Sequence, residues 1–436
     1  MSATPHPPAT PVSSVVVPAA VPAPSAAADR AESRSAWAPF AYPAFRIIWS
    51  ASMTAALCTW MNDVAAAWLM TSMTTDPLMV ALVQSAATLP MFLLGLPAGT
   101  VADTSDRRQF LIATQVWITA IALLSCLVLW SGLLNPPLLL ILSFASGIGL
   151  ALRFPGIAGA LPETLPRSQL AQGLALNSVA LNVARTAGPA VAGALIAALG
   201  SGAVYLTNAV ISLAGFAAVL RWQGVATPPP AVRPPLWPAL VDGARRALAI
   251  PAMRRILLST LLFYGHVTIL VALLPLVARR LDPHSPTMFA LLFGALGAGA
   301  VFVCIFILPR LRGTVPPESR VRGGALLIAA MIVLVAFSPW AWLSTGAMFV
   351  AGIAWTAVGN TLTVQAQLTV PAEIRSRGMS LYHATMMGAM AGGASLWGMV
   401  AGHIGIPATY ALAAASAALA GVLSYRPDAL GGLRSH

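Results

Sequence analysis

Residues 99–108 read GTVADTSDRR and place two carboxylates and two guanidinium groups between two long apolar runs. The runs, at about 78–101 and 109–132, are each long enough to cross a bilayer core at about 1.5 Å of helix rise per residue. A cluster of charges this dense is too costly to place in hydrocarbon. The sequence therefore predicts two membrane-spanning helices joined by a short loop at the membrane surface.

Composition also indicates a membrane protein with many spans. Of the 436 residues, 58% are hydrophobic and only 8% are charged, and the mean hydropathy is +0.82, values typical of polytopic membrane proteins. All 24 basic residues are arginine, and the formal net charge is +12. Because the arginines recur at the ends of apolar segments and do not form one patch, they indicate membrane topology and not nucleic-acid binding.

The apolar runs predict an all-α membrane protein with twelve transmembrane helices in two pseudo-symmetric six-helix bundles. The predicted spans lie at about 46–72, 78–101, 109–132, 137–160, 172–199, 203–222, 255–278, 287–308, 323–343, 345–368, 379–403 and 407–425. The expected domains are a disordered cytoplasmic tail (1–40), the first bundle (41–222), a cytoplasmic linker with a short amphipathic helix (223–253), the second bundle (254–425) and a cytoplasmic tail (426–436). Faint similarity between the halves, such as Gly173 with Gly378, agrees with a parallel internal repeat.

The arginines predict the orientation as well. With the N-terminus inside, 20 arginines fall in cytoplasmic segments, only Arg279 and Arg280 fall outside, and two lie within spans. By the positive-inside rule both termini are cytoplasmic, and we expect a multi-pass protein of a bacterial inner membrane. Five tryptophans near the predicted outer ends are expected to form an interfacial belt: Trp60, Trp68, Trp130, Trp340 and Trp342.

The fifth predicted span carries a second informative stretch, which runs from Asn182 through Arg185, Gly188 and Pro189 to Gly193. A proline in a spanning helix frees a carbonyl group, and glycines let a neighbouring helix approach closely. The stretch therefore predicts a helix that can bend and pack as a pivot. An ordinary packing face of small residues with a kink is the alternative interpretation.

These stretches together resemble the major facilitator superfamily. Its loop between the second and third helices has a pattern of glycine, aspartate and basic residues that Gly99, Asp103, Arg107 and Arg108 match. The fifth span resembles the Gly-Pro motif of exporters and antiporters in the superfamily. Residues 365–378, QAQLTVPAEIRSRG, are similar to the branch called transmembrane secretion effectors, which includes enterobactin exporters. The resemblance covers about residues 40–425 and implies a transporter that works by alternating access.

The resemblance also implies a role for the first loop. An ionised Asp103 at the cytoplasmic surface would be stabilised by Arg107, by Arg153 near the inner end of the fourth span, and by the helix N-terminus near Gly378. Closing this network around the loop would latch the cytoplasmic side while the cavity faces outward. A solvated turn that only obeys the positive-inside rule is the alternative.

Two ionisable residues are predicted to lie well inside the membrane: Asp63 in the first span and Arg185 in the fifth. Because a buried ionisable group costs about 3 kcal/mol, each is a functional candidate. Asp63 is the first candidate for proton coupling, followed by His266 and His383. An interfacial position for Asp63 and ordinary packed histidines are the alternatives. Arg185 would keep Asp63 ionised if their helices approach, or would hold an anionic part of the substrate if they do not.

Several polar, aromatic and methionine side chains fall on spans that line the cavity in this superfamily. We expect substrate contacts from Gln84, Trp355, Asn360, Gln365, Met386 and Met390. A wall rich in methionine is adaptable and suits a bulky amphipathic molecule. Lipid-facing or interhelical packing is the alternative for each methionine.

No pair of carboxylates set up for hydrolysis, catalytic triad, phosphate-binding loop or metal-ligand cluster is evident in the sequence. We therefore expect no enzyme activity, no cofactor and no metal. The leading hypothesis is a secondary exporter, acting as a monomer, that exchanges a small amphipathic molecule for protons. That molecule would be a drug-like compound, a siderophore or another secondary metabolite. An uptake symporter of the same fold and a membrane sensor or scaffold without transport are the alternatives.

Overall fold

The computed structural model of the chain describes residues 37–221, 236–283, 286–311, 315–371 and 374–424, apart from the side chains of some helical residues. All regular secondary structure within these ranges is helical. The predicted tails, except for residues 37–40, and the proline-rich part of the linker lie outside the described residues, so the predicted domain boundaries stay predictions.

Twelve long helices, which we number α1 to α12, follow one another within these ranges. They are α1 (Pro43–Met73), α2 (Pro77–Thr104), α3 (Arg107–Trp130), α4 (Pro136–Glu163), α5 (Leu170–Leu199), α6 (Ser201–Arg221), α7 (Pro251–Leu281), α8 (Pro286–Ile307), α9 (Pro317–Phe337), α10 (Ala341–Thr369), α11 (Arg375–Ile404) and α12 (Ile406–Ser424). A linker helix, Leu236–Ala249, lies between α6 and α7. The architecture is the predicted all-α membrane fold.

The sequence at the helix starts explains where the spans begin. Six helices, namely α1, α2, α4, α7, α8 and α9, begin with proline, which is favoured at the first helical position because its missing N–H has no intrahelical partner there. Asp76, Asp106 and Asn135 precede α2, α3 and α4, and their Oδ1 atoms accept hydrogen bonds of 2.8–2.9 Å from backbone N–H groups in the first turns. Each such N-cap stabilises its helix by about 1 kcal/mol.

The helices differ in how apolar they are. Nine of the described helices are long and apolar enough to cross a membrane by length and composition alone, and α1, α11 and α12 are not among them. α1 and α11 have 31 and 30 residues, so length does not exclude them. They carry polar side chains such as Asn62, Asp63 and His383. In a membrane fold such helices line the interior, where polar groups find partners.

Contacts between the first half (α1–α6) and the second half (α7–α12) are concentrated in a few helix pairs. α2 packs extensively on α11 and α5 on α8, while α1 and α2 also meet α7, and α1 meets α8. Among the described residues, α4 and α5 do not pack extensively on α10 or α11. We call the end with the α1–α2 turn (74–76) the closed end. We call the end with the α2–α3 turn (105–106) the parted end, a name that refers only to the few contacts of the described residues there.

Two sequence-based boundaries were wrong. The stretch 99–108 is mostly helical, because α2 continues to Thr104 and only Ser105 and Asp106 separate it from α3. The predicted spans 323–343 and 345–368 are shifted, because α9 ends at Phe337 and α10 begins at Ala341. Pro339 causes this break, since a proline disfavours helical backbone in the residue before it and donates no hydrogen bond.

Candidate functional site

Arg185 lies near the middle of α5, where the two halves meet. Its guanidinium carbon lies 5.7 Å from the ring centroid of Trp60 on α1 and 5.9 Å from that of Trp355 on α10. A guanidinium between two indole rings is stabilised by cation–π attraction. Within the described residues, neither Asp63 nor any other carboxylate forms an ion pair with Arg185. The site therefore offers a positive charge without a counter-ion, flanked by aromatic surfaces from both halves.

Two tyrosines extend this site into the second half. The ring of Tyr264 on α7 makes an edge contact with Trp355, with 6.2 Å between the centroids. The Tyr264 hydroxyl is hydrogen-bonded to that of Tyr382 on α11, which in turn lies 3.0 Å from Thr363 Oγ1. Gly359 makes room for this arrangement, because a Cβ there would lie 2.5 Å from the Tyr264 hydroxyl oxygen. The hydrogen-bonded tyrosines hold the Trp355 side of the site in place.

A second polar region lies inside the first half. Residues of α1, α2, α3, α4 and α6 line a cavity of about 140 Å³, to which no described residue of α5 or of the second half contributes. Its polar lining includes Asn62, Asp63, Gln84, Gln115 and Arg153. The Asp63 carboxylate has no hydrogen-bond or ion-pair partner among the described residues. Asp63 thus faces the interior of the first half.

Asp63 also touches the boundary between the halves. A gap of about 20 Å³ near the closed end is lined by Asp63, Ala67 and Gln84 from the first half and by apolar residues of α7 and α8. Trp68 stacks on Phe289 nearby, with ring centroids 6.5 Å apart. Asp63 thus lies between the cavity of the first half and the narrow gap at the closed end.

The residues of the predicted cytoplasmic latch are only partly described. Arg153 donates a hydrogen bond to the backbone carbonyl of Ala51 on α1, and Arg108 Nη2 donates one of 3.2 Å to Leu220 at the end of α6. Gly99 lies near the end of α2 with open space around it. The side chains of Asp103 and Arg107 lie outside the described residues, so the latch stays a prediction.

Gly378 lies in the first turn of α11. A Cβ at this position would lie 2.8 Å from the side chain of Val370 at the end of α10. The glycine therefore lets the chain between α10 and α11 turn back closely. No described contact joins it to Asp103.

The glycines of α5 contact two other helices. A Cβ on Gly188 would lie 2.6 Å from the Cβ of Trp60 on α1, and one on Gly193 would overlap Ala290 on α8. α5 runs through the buried Pro189 without interruption, and Asn182 donates only to Ser178 in the same helix, at 2.8 Å. The close approaches agree with both interpretations of this stretch, a pivot and a packing face.

The two candidate histidines lie in different surroundings. His266 Nε2 lies 3.1 Å from Ser416 Oγ on α12, and the His266 ring contacts Trp397, so this residue belongs to the interior of the second half. His383 lies closer to the pathway, because its ring centroid is 6.5 Å from that of Phe154 on α4. This ring pair is a contact between the halves on the parted side of α11.

The predicted cavity residues are not brought together at one site. Trp355 contacts Arg185, and Gln84 lines the cavity of the first half. Met386 and Met390 pack against the hydrophobic core cluster, which includes residues of both halves. Asn360 is exposed and Gln365 is partly exposed on α10 beyond Trp355.

The predicted interfacial belt was wrong for two of its five members. Trp60 contacts Arg185, and Trp68 is 8% exposed and stacks on Phe289. Trp130, Trp340 and Trp342 are 57–71% exposed, as a belt requires. Sequence position alone could not separate the two groups, because it gives the depth of a residue and not the face of the helix that carries it.

Sequence reasoning also missed Ser143, Tyr205, Tyr264 and Asn208. All four are uncharged polar residues inside spans, and nothing in their local sequence distinguishes them from packed polar residues. Within the described ranges, no group of three or more His, Cys, Asp or Glu side chains could hold a metal ion.

A family model described as transmembrane secretion effector matches residues 34–429. The chain belongs to this family. It is a membrane transporter of the major facilitator kind and not an enzyme, in agreement with the twelve-helix fold.

Relatives of this transmembrane secretion effector include the staphyloferrin A transporter of Staphylococcus aureus (strain NCTC 8325 / PS 47), which is 22% identical over 274 residues. The match covers 61% of this chain and 66% of that protein. The uncharacterized MFS-type transporter YfiS of Bacillus subtilis (strain 168) is 30% identical over 137 residues, which are 31% of each chain. The matches thus span less than two thirds of either relative.

Solved structures show the same fold. The nucleoside transporter NupG superimposes with a TM-score of 0.72 at 12% identity, covering 88% of this chain and 99% of that one. A bacterial homolog of the human lysosomal transporter Spinster, in an inward-facing and occupied conformation, gives a TM-score of 0.64 at 14% identity, covering 87% and 94%. At this identity the likeness concerns the fold of the transmembrane secretion effector and not its substrate.

Proposed function

We propose that this transporter is an exporter of a bacterial inner membrane that moves a small amphipathic molecule outward in exchange for protons. The closed end would then face outside and the parted end the cytoplasm. The observation that carries the proposal is Arg185, which lies between Trp60 and Trp355 without a carboxylate partner. A free positive charge between aromatic rings from both halves suits a substrate that carries an anionic group next to an aromatic ring.

The position of this site fits alternating access. Trp60 belongs to the first half and Trp355 to the second, so a substrate at Arg185 contacts both, and movement of the halves alters its surroundings. A siderophore or another aromatic acid has the required chemistry. The relative named as a staphyloferrin A transporter supports a siderophore as one candidate.

Asp63 is the proposed coupling residue. It is a carboxylate that lines an internal cavity and has no partner among the described residues, so a change of protonation state alters its interactions strongly. Because Asp63 and Arg185 do not pair, coupling would act through the movement of α1, which carries Asp63 three residues from Trp60, the residue that contacts Arg185. The stretch with Gly99, Asp103 and Arg107 would latch the parted end in the other conformation.

The test is transport in proteoliposomes with an imposed pH difference. The probe is 2,3-dihydroxybenzoylserine, an aromatic carboxylate, with the cation ethidium as a comparison. A proton antiporter accumulates the anionic probe on the acidic side of the membrane, whichever way the protein is inserted. Passive diffusion has the opposite effect, because a weak acid accumulates on the alkaline side. Asp63→Asn should abolish this accumulation and leave downhill exchange measurable, because only the proton-linked step needs the carboxylate.

The matched control is Asp242→Asn. Asp242 is a carboxylate in the linker helix that lies 2.9 Å from Arg246 and 4.0 Å from Arg377 of α11. It lines neither the cavity nor the Arg185 site, so this variant should keep its response to the pH difference. Accumulation on the alkaline side beyond the passive level would favour an uptake symporter, and no flux of either probe would favour a sensor or scaffold. If Asp63→Asn still accumulates the probe, coupling lies elsewhere, with His383 and His266 as the next residues to replace.

A further inference from the structure

The cavity of the first half contains more unsatisfied polar atoms than packing alone explains. Ser143 Oγ, Tyr205 Oη and Asn208 Oδ1 line it and have no hydrogen-bond partner among the described residues. These residues are only 3%, 5% and 6% exposed. A buried polar atom without a partner costs about 1–3 kcal/mol, so three such atoms beside an unpaired carboxylate indicate an occupant that forms hydrogen bonds.

The polar lining of this cavity suits water. Its volume of about 140 Å³ is far larger than the roughly 10–15 Å³ that one water molecule needs on the same measure. The polar groups are spread over five helices and include both Asp63 and Arg153, so a charged solute would meet a like charge somewhere in the cavity. Water can donate to the orphaned oxygen atoms and also accept from Arg153.

The cavity and the Arg185 site use different residues of α1. Thr54 and Cys58 belong to the stripe that lines the cavity and lie about 120–160° around the helix from Trp60. Trp60 packs on α5, because a Cβ on Gly188 would lie 2.6 Å from its Cβ. Asp63 also lines the cavity, but it lies three residues from Trp60, on the edge of the stripe next to it.

We propose that this cavity is a water-filled proton pocket that links Asp63 to the parted end past Arg153, so that protons and substrate use separate sites that adjoin within one turn of α1. The proposal rests on the proton coupling proposed above. Asp63 accepts a proton from water when the closed end opens and returns it to the water of the pocket in the present arrangement, and no other bond changes. In this arrangement the apolar gap beside Phe289 separates Asp63 from the closed end.

The charged and titratable groups around Asp63 are few. Those that line the same cavity are Arg153 from α4, Tyr205 from α6 and Cys58 from α1 itself, while α2 and α3 present the neutral amides Gln84 and Gln115. α7 and α8 present apolar side chains at the gap. Arg185 of α5 and Arg279 of α7 contact other parts of α1, at Trp60 and at Thr71.

Cys58 provides a direct probe of water, because a thiol reacts as the thiolate, which forms only where water reaches it. A protein with Cys126→Ala and Cys304→Ala keeps Cys58 alone, and its labelling by methyl methanethiosulfonate is compared with that of a matched protein that keeps only Cys126, a buried residue of the hydrophobic core. A water-filled pocket makes Cys58 react at least about tenfold faster. Equally slow labelling of both thiols would show a dry cavity and overturn the proposal.

Independence from the substrate site is tested in the same protein. The test either introduces Arg185→Ala or adds a saturating concentration of 2,3-dihydroxybenzoylserine. In both cases the labelling rate of Cys58 should stay within about twofold of the rate in the parent protein without ligand, because the described cavity walls come from the first half. Strong protection by the probe would mean that the cavity belongs to the substrate site and would refute separate sites.

Transport variants test whether the pocket carries protons. Asn208→Leu keeps the branched shape and the number of heavy atoms of the side chain but removes its polar atoms. It should slow pH-driven accumulation at least about tenfold, while the rate of downhill exchange changes by no more than about twofold. Ser143→Ala should act in the same direction more weakly. Ser344→Ala is the matched control, because Ser344 Oγ is also buried without a partner but lies outside the cavity.

The outcomes separate the two proposals. One outcome is that the wild-type protein and Ser344→Ala accumulate the probe, and that Asn208→Leu and Ser143→Ala accumulate it as fast as the wild-type protein. This outcome refutes only the proton pocket. If the wild-type protein shows downhill exchange but no response to pH, the proton coupling itself is wrong and the pocket with it.

Discussion

At the scale of single residues, Arg185 is the side chain for which substitutions best separate the effect of charge from the effect of shape. Its guanidinium is planar and lies near two indole rings, so both its charge and its shape matter. Arg185→Lys keeps the charge but loses the planar stacking, and Arg185→Gln loses the charge.

We expect the affinity for 2,3-dihydroxybenzoylserine to fall about tenfold in Arg185→Lys, and further in Arg185→Gln, because a charge-assisted contact contributes more than about 1.4 kcal/mol. The measurement is the ligand concentration that raises the melting temperature in detergent, with ethidium as the cationic comparison. Equal stabilisation of all three proteins by the anionic probe would remove Arg185 from the substrate site.

At the scale of helices, Arg279 joins α7 to α1 at the closed end. Its guanidinium carbon lies 4.5 Å from the ring centroid of Trp68, and its Nε donates a hydrogen bond of 2.7 Å to Thr71 Oγ1. Arg280, the next residue, donates instead to the carbonyls of Val335 and Ser338 at the end of α9, within the second half. Arg279 and Arg280, the two arginines that the sequence places outside the membrane, therefore also have two distinct structural roles.

Arg279→Gln should open the closed end more often, because it removes a cation–π contact and a charge-assisted hydrogen bond across the halves, together about 1–2 kcal/mol. The reporter is Ala67→Cys in a protein without its three native cysteines, since Ala67 lines the narrow gap. Labelling by an impermeant maleimide should accelerate about tenfold.

Arg280→Gln is the matched control for this helix contact. It should lower the melting temperature, because the carbonyls at the end of α9 lose their donor, but leave the labelling rate of Ala67→Cys unchanged. Identical labelling in Arg279→Gln and its parent would show that the aromatic contacts alone close this end.

At the scale of the whole molecule, the orientation in the membrane is the remaining prediction, and it rests on the arginine bias. Thr75 lies in the turn at the closed end and Ser105 in the turn at the parted end, and both are exposed. In intact spheroplasts, Thr75→Cys should react with an impermeant maleimide, and Ser105→Cys should react only after permeabilisation. The reverse pattern would invert the molecule and with it the proposed direction of transport.

The sequence by itself determined the all-α membrane fold and the number of long helices, and it supplied Asp63 and Arg185 as the ionisable candidates. These follow from properties that are local in the chain: the length of an apolar run against the thickness of a bilayer, and the cost of a charge within it. The sequence also supplied Trp355 and Gln84 as candidates for substrate contacts. They were chosen because their spans line the cavity in the superfamily, and the sequence did not show which residues they contact. The shifted ends of α9 and α10 show the limit of this reasoning, because Pro339 overrides hydrophobicity over a few residues.

Only the tertiary structure decided which side chains meet. Trp60 belonged to the interfacial belt in sequence-based reasoning but lies beside Arg185, which is 125 positions away in the chain. Ser143 of α4 and Tyr205 and Asn208 of α6 form one cavity with Asp63 of α1. Sequence gives the depth of each residue along its helix. The rotation of that helix about its axis is set by packing against neighbouring helices. This rotation decides whether a polar group meets lipid, protein or water.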